Sequence, residues 1–194
     1  MNFYQISMLI VMGTFYFAYF MKMYLQRKQG IVTNQLGKGN KKEGTKRIEK
    51  LLRVSTFVIV PVEIISILLN TRVSQSNALS ILGIGMAILG VIVFITAILT
   101  MKDSWRAGIP DNEKTTIITH GIYQFSRNPA FLGFDFIYIG ILLAFGNVVH
   151  LIFVILTVVL LHLQILEEEK FLPTVFGDDY IQYKKRTARY FWFF

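Results

Sequence analysis

His120-Gly-Ile-Tyr-Gln-Phe-Ser-Arg-Asn-Pro-Ala-Phe-Leu-Gly133 is the stretch from which the fold is read, because a polar loop runs directly into an apolar helix there. It holds two glycines, an Arg-Asn-Pro turn and four aromatic or histidine side chains. Pro129 suits the first turn of a helix, where a missing N–H costs nothing. Asn128 then stands at the N-cap. A helix start also presents free backbone N–H groups to an anionic ligand. The alternative is that Ser-Arg-Asn-Pro only opens a helix, with Arg127 snorkelling to headgroups.

Downstream, Phe131 to Phe145 and Val148 to Leu166 are two apolar spans separated only by Gly146-Asn147, which predicts a tight helical hairpin. The second span ends in Leu166-Glu-Glu-Glu-Lys-Phe-Leu172. Carboxylates at a helix C-terminus oppose the macrodipole, so this cluster calls for another purpose. Gln164 and Glu168 are four residues apart and share a helix face, whereas Glu167 and Glu169 point elsewhere. One of the three glutamates is expected to face a site, with the others solvated. Asp135 is an acid within the fourth span, near the same end of the hairpin, and a salt bridge to Arg127 would account for it. The tail from Pro173 is polar and basic until Arg189-Tyr-Phe-Trp-Phe-Phe194, an ending suited to a membrane interface.

Upstream, Asn2 to Tyr24 is a first span, with no Lys or Arg before its apolar run and no small-residue cleavage site. It reads as a retained transmembrane helix rather than a signal peptide. Gln26 to Arg53 is a basic loop, flexible or laid along anionic headgroups. Val54 to Leu69 is an apolar run containing Pro61 and Glu63. An ionisable group there is functional by default, or else it satisfies backbone groups freed by the proline or pairs with another helix. Ala78 to Met101 carries Gly83, Gly85 and Gly90, which favour close helix packing. In the loop from Lys102 to Asn128, Pro110-Asp111-Asn112 signals a turn, and the β-branched run Thr115 to Ile118 favours extended backbone.

Composition agrees. The chain is 54% hydrophobic and 16% charged, with mean hydropathy +0.51, which points to a membrane protein. The fold class is therefore all-α: an integral membrane bundle of about five transmembrane helices in one domain, residues 1–194. Ten of the twenty Lys and Arg lie between Lys22 and Arg53, and five more from Lys170 onward. Because they flank apolar spans, the net charge of +8 reflects topology rather than nucleic acid. The positive-inside rule places the 22–53 loop, the 102–128 loop and the C-terminal tail in the cytoplasm, with the N-terminus outside. Without cysteine there are no disulfides, thiolate metal sites or cysteine nucleophiles.

Carboxylates, aromatics and a helix start gathered at a membrane surface are compatible with a zwitterionic cofactor such as S-adenosylmethionine, but chemistry alone does not select it. The ordered combination Thr119-His-Gly-Ile-Tyr123, Ser126-Arg-Asn-Pro129, Gly133, then Glu167-Glu-Glu-Lys-Phe-Leu172 and Phe176-Gly-Asp-Asp-Tyr180-Ile-Gln-Tyr183 resembles the isoprenylcysteine carboxyl methyltransferase and phospholipid methyltransferase family. The resemblance covers roughly residues 101–190. It implies S-adenosylmethionine as cofactor, in a cytoplasmic pocket at the end of the last hairpin. The cofactor-binding positions it implies are Thr115, Thr116, Ile117, Ile118, Tyr123, Arg127, Asn128, Pro129, Ala130, Phe131 and Glu168. Asn128 stands where the family usually has histidine, Phe131 where it has tyrosine, and Thr115 where a histidine is common. Gln164 stands where the prenylcysteine enzymes carry an arginine thought to meet the substrate carboxylate. Gln164 and Asp135 are the residues assigned to the acceptor.

The leading reading is methyl transfer to a lipophilic small-molecule or lipidated acceptor entering from the bilayer, alongside Phe131 and Phe134. Membrane lipids are the expected partners, with no nucleic acid and no metal. The alternatives are an NADPH-dependent membrane reductase of the sterol-reductase type and a non-catalytic membrane scaffold.

Overall fold

The computed structural model describes residues 1–72, 76–109 and 115–191. Five α-helices follow one another: α1 (Phe3–Lys28), α2 (Glu43–Leu68), α3 (Asn77–Met101), α4 (Pro129–Phe145) and α5 (Val148–Arg186). Two 3-10 turns, Lys102–Ser104 and Gly121–Gln124, lie between α3 and α4. The β pairing among the described residues is one isolated parallel bridge, Asn34 with Ala107. The turn expected at Pro110-Asp111-Asn112 lies outside the described residues.

Four helices are long and apolar enough to cross a membrane: α1, α2, α3 with the turn that follows it, and α5. The chain is a multi-pass integral membrane protein. α4 is the short one: its 17 residues span about 25 Å at ~1.5 Å per residue, under the ~30 Å hydrocarbon core.

Three boundaries differ from the sequence reading. α1 runs to Lys28, past Tyr24. α2 starts at Glu43 rather than near Val54, so the second half of the basic loop is helix. Thr45, Glu49 and Leu52 are buried there at helical spacing, while Arg47, Lys50 and Arg53 stay exposed. The density of charge hides an amphipathic pattern. α5 likewise passes Pro173 and continues to Arg186, bending at Gly177 (φ 54°, ψ −131°), where a left-handed φ favours glycine. The polar tail is therefore largely helical. Of its aromatic ending, Arg189 and Tyr190 fold back onto α5, bonding Glu169 and His162, and Trp192 to Phe194 lie outside the described residues.

The hairpin turn is where the sequence places it, with the Asn147 side chain accepting from the His150 N–H. Its two helices nevertheless pack mainly against other partners: α4 on α3 and α5 on α2. Glycine explains the first pairing. A Cβ on Gly83 would sit 2.5 Å from the Gly140 carbonyl, and one on Gly140 would sit 2.6 Å from the Gly83 carbonyl. Gly90 and Gly133 oppose each other in the same way, at 2.8 and 3.0 Å. Gly85, also expected at a packing face, meets nothing within 4 Å. Gly83→Ala is therefore expected to lower stability by about 1–3 kcal/mol through overpacking, and Gly85→Ala to be nearly silent. Thermal unfolding of the two detergent-purified variants checks this contrast.

α5 meets α2 through Ser55 and Thr157, whose hydroxyls are 2.5 Å apart, and through Thr45, which donates to Glu167. Glu63 lies within an unbroken α2 and is fully buried. Neither of its carboxylate oxygens has a hydrogen-bond partner among the described residues, so it neither caps backbone freed by Pro61 nor pairs across helices.

Candidate cofactor and acceptor site

With α4 and α5 packed on different neighbours, the space at the end of the bundle that holds the start of α4 is closed by connecting segments. A cavity of about 320 Å³ lies there, within the range of small-molecule sites. Its first wall is the segment after α3, with Arg106, Gly108 and Ile109, followed by Thr115 to Ile118 in non-helical backbone. Its second is Tyr123, Arg127 and Asn128. Its third is one face of α5, with Glu168 at one end, Phe171, Leu172, Val175 and Phe176 next, then Tyr180 and Tyr183.

Eight of the eleven positions assigned to the cofactor line this cavity: Thr115, Thr116, Ile117, Ile118, Tyr123, Arg127, Asn128 and Glu168. Pro129, Ala130 and Phe131 do not; they form the first turn of α4, where Pro129 is buried and Ala130 and Phe131 pack on the core. Phe134 points into an aromatic cluster with Phe15, Phe94 and Tyr19. The apolar wall is instead the 171–176 face of α5, whose part beyond Leu172 lies in the stretch the sequence reading took for a polar tail. Its signal was the spacing 168, 171, 172, 175, 176, which follows one helical stripe.

One of the three glutamates, Glu168, faces the cavity, but the other two are not solvated. Glu167 accepts from Thr45 and pairs with Lys170. Glu169 is buried and joins Arg127 (2.6 Å), Arg189 (2.9 Å) and Lys184 (3.4 Å). Arg127 therefore pairs with Glu169 and not with Asp135. Asp135 lies outside the cavity lining, and its Oδ1 is buried without a partner among the described residues.

The Glu169 cluster ties the C-terminal segment to the start of α4. Arg127 also donates to the Lys184 and Thr187 carbonyls. Its backbone N–H bonds the Ala188 carbonyl, and the Ser126 hydroxyl and Asn128 amide both donate to the Arg189 carbonyl. Asn128 occupies the N-cap of α4, but its side chain makes no capping bond because it is turned to Arg189. The hydrogen bond from Arg189 to Glu169 holds that guanidinium above its usual range.

Glu168 faces the cavity and has one hydrogen bond among the described residues: Gln164 Nε2 donates to its Oε1 at 3.0 Å. Gln164 itself is fully buried one turn back and does not line this cavity. Tyr183 donates to the Tyr123 carbonyl at 2.7 Å. Burial, then the neighbouring Tyr183 and Glu168, push the Tyr123 hydroxyl well above its ordinary range, so it stays a neutral donor. Arg127 lines the cavity, and its Nε is buried without a hydrogen-bond partner among the described residues. The lining thus offers a carboxylate with no salt bridge among the described residues, the Arg127 guanidinium, hydroxyl and backbone groups from 115–118, and an apolar wall. It fits a ligand that combines a cation, a carboxylate and a flat apolar portion.

A multi-helix membrane protein with such a cavity at one end of its bundle is the class defined so far. The particular family follows from comparison with known proteins: the phospholipid methyltransferase family model matches residues 78–179, and the chain belongs to that family. It is also similar to the protein-S-isoprenylcysteine O-methyltransferases of Xenopus laevis, 31% identical over 116 residues covering 58% of this chain and 40% of that protein, and of Schizosaccharomyces pombe, 34% identical over 76 residues covering 39% and 32%. The chain therefore spans two fifths or less of the length of these curated relatives. Family membership implies S-adenosylmethionine as the methyl donor.

Proposed function

We propose that this chain transfers a methyl group from S-adenosylmethionine to a lipophilic acceptor held in the bilayer, at the membrane face where its polar segments gather. By the positive-inside rule that face is the cytoplasmic one. The observation that carries this reading is Glu168: a carboxylate facing a largely apolar cavity with no salt bridge among the described residues, in a chain whose family uses a sulfonium cofactor.

When bound, the cofactor supplies an electrophilic methyl on a sulfonium, which leaves as a thioether once an acceptor lone pair takes the methyl. Such a displacement needs alignment and exclusion of water more than a covalent nucleophile. Glu168 would neutralise a cationic group of the cofactor. Arg127 Nε would meet its carboxylate, and the 115–118 backbone and the Tyr123 hydroxyl would orient its polar edge. The apolar face from Phe171 to Phe176 would exclude water and receive the flat portion.

The acceptor is a lipid or a lipidated group such as an isoprenylcysteine. Gln164 is neutral and already bonded to Glu168, which favours acceptors other than a free carboxylate at that position. The test is to incubate the protein in liposomes with methyl-labelled S-adenosylmethionine and a membrane lipid extract. Label in the organic phase that disappears with Glu168→Ala is the expected result; organic-phase label no greater than in protein-free liposomes across lipid and prenylcysteine acceptors would overturn the reading.

A further inference from the structure

Glu49 is fully buried in the early turns of α2, outside the segment that the family model matches and outside the cavity lining. Four donors converge on it. Lys41 Nζ and the Gly37 N–H reach Oε2 at 2.6 and 2.7 Å. The Ile109 N–H and Gln164 Nε2 reach Oε1 at 3.0 and 3.4 Å. The same Gln164 nitrogen donates to Glu168 at 3.0 Å, so a single amide NH₂ lies between two carboxylates.

An ionised carboxylate only accepts hydrogen bonds, whereas a glutamine amide offers a donor end and an acceptor end. Glu49 and Glu168 together therefore dictate which way Gln164 points: NH₂ toward both glutamates. The cost is visible, since Gln164 Oε1 is left buried with no partner among the described residues. The opposite orientation would aim that oxygen at Glu168 and repel its charge.

We propose that Glu49 is a positioning residue for the cofactor site: through Gln164 it holds Glu168 as an oriented carboxylate facing the cavity. This rests on the reading of Glu168 as a cofactor contact. In Glu49→Gln the amide oxygen is needed by Lys41 and Gly37, so its NH₂ faces the Gln164 NH₂, donor against donor. Gln164 is then displaced from its place between the two side chains, and its hydrogen bond to Glu168 is weakened.

The experiment measures S-adenosylhomocysteine binding by calorimetry to full-length, monodisperse protein in detergent, as wild type, Glu49→Gln, Gln164→Met and the double variant, with thermal unfolding of each. Loss of one charge-assisted hydrogen bond predicts that Glu49→Gln weakens binding about tenfold or more. In the Gln164→Met background, where the connection is already cut, the same change should have under about a twofold effect. Unchanged affinity in folded Glu49→Gln, or an equal loss in both backgrounds, overturns the inference while leaving the methyltransferase reading intact. A wild type that does not bind overturns that reading and this inference with it.

Discussion

Glu169→Ala should lower stability by about 3–5 kcal/mol, the range for removing one member of a buried ion pair. The size follows from what surrounds it. Arg127 lies 2.6 Å away and Arg189 2.9 Å, with the side chains of Glu169 and Arg127 only 5% and 8% exposed. Deleting the carboxylate leaves the Arg127 guanidinium buried and without a counter-charge, a more costly state than a missing contact. The consequence is also directional. Arg127, Ser126 and Asn128 hold the 187–189 carbonyls at the start of α4, so the C-terminal segment should come loose first. A lower unfolding temperature in detergent and faster tryptic cleavage after Arg186 and Arg189 are the expected results. An unchanged melt with unchanged proteolysis would mean that the cluster does not hold the segment.

Glu168→Ala should behave in the opposite way. This residue faces a cavity and makes one hydrogen bond, so its removal frees little buried charge and should cost under about 1 kcal/mol of stability. Ligand binding should fall by about a hundredfold or more, because a charge-assisted contact in a water-poor site contributes about 1.5–3 kcal/mol and the apolar wall amplifies it. Calorimetry with S-adenosylhomocysteine on folded variant protein gives the number. Retained affinity would remove Glu168 from the cofactor site. The pair of neighbouring glutamates thus separates two roles: one anion holds the chain together, and the next faces the cavity.

Much of the bundle was legible in the sequence. α3 is predicted within a residue at its start, and α4 opens at Pro129 because proline fits only the first turn there. Gly83 and Gly90 marked a packing face that the structure uses. Gly85 could not be told from them, because glycine spacing does not say which face meets a neighbour. What sequence missed has a common cause. Lys46 to Arg53 is dense in charge, and Pro173 to Arg186 combines charge with Pro173 and Gly177, so the two segments read as loop and tail. Their buried positions (Glu49, Leu52, Tyr180, Tyr183) are few, and three of the four carry a polar group. Helical spacing from Glu168 to Phe176 was the available signal for the apolar wall. The partners of Asp135 and Arg127 were not readable, since nearness in sequence favoured their pairing while the fold brings Glu169 to Arg127 from another helix.

The most direct test of the central claim is calorimetric titration of S-adenosylhomocysteine and NADPH into the same detergent-purified, folded protein. The account predicts micromolar-range binding of S-adenosylhomocysteine and none of NADPH. Binding of NADPH alone would contradict it and move the cavity to the chemistry of a membrane reductase, and binding of neither would leave the protein a membrane scaffold.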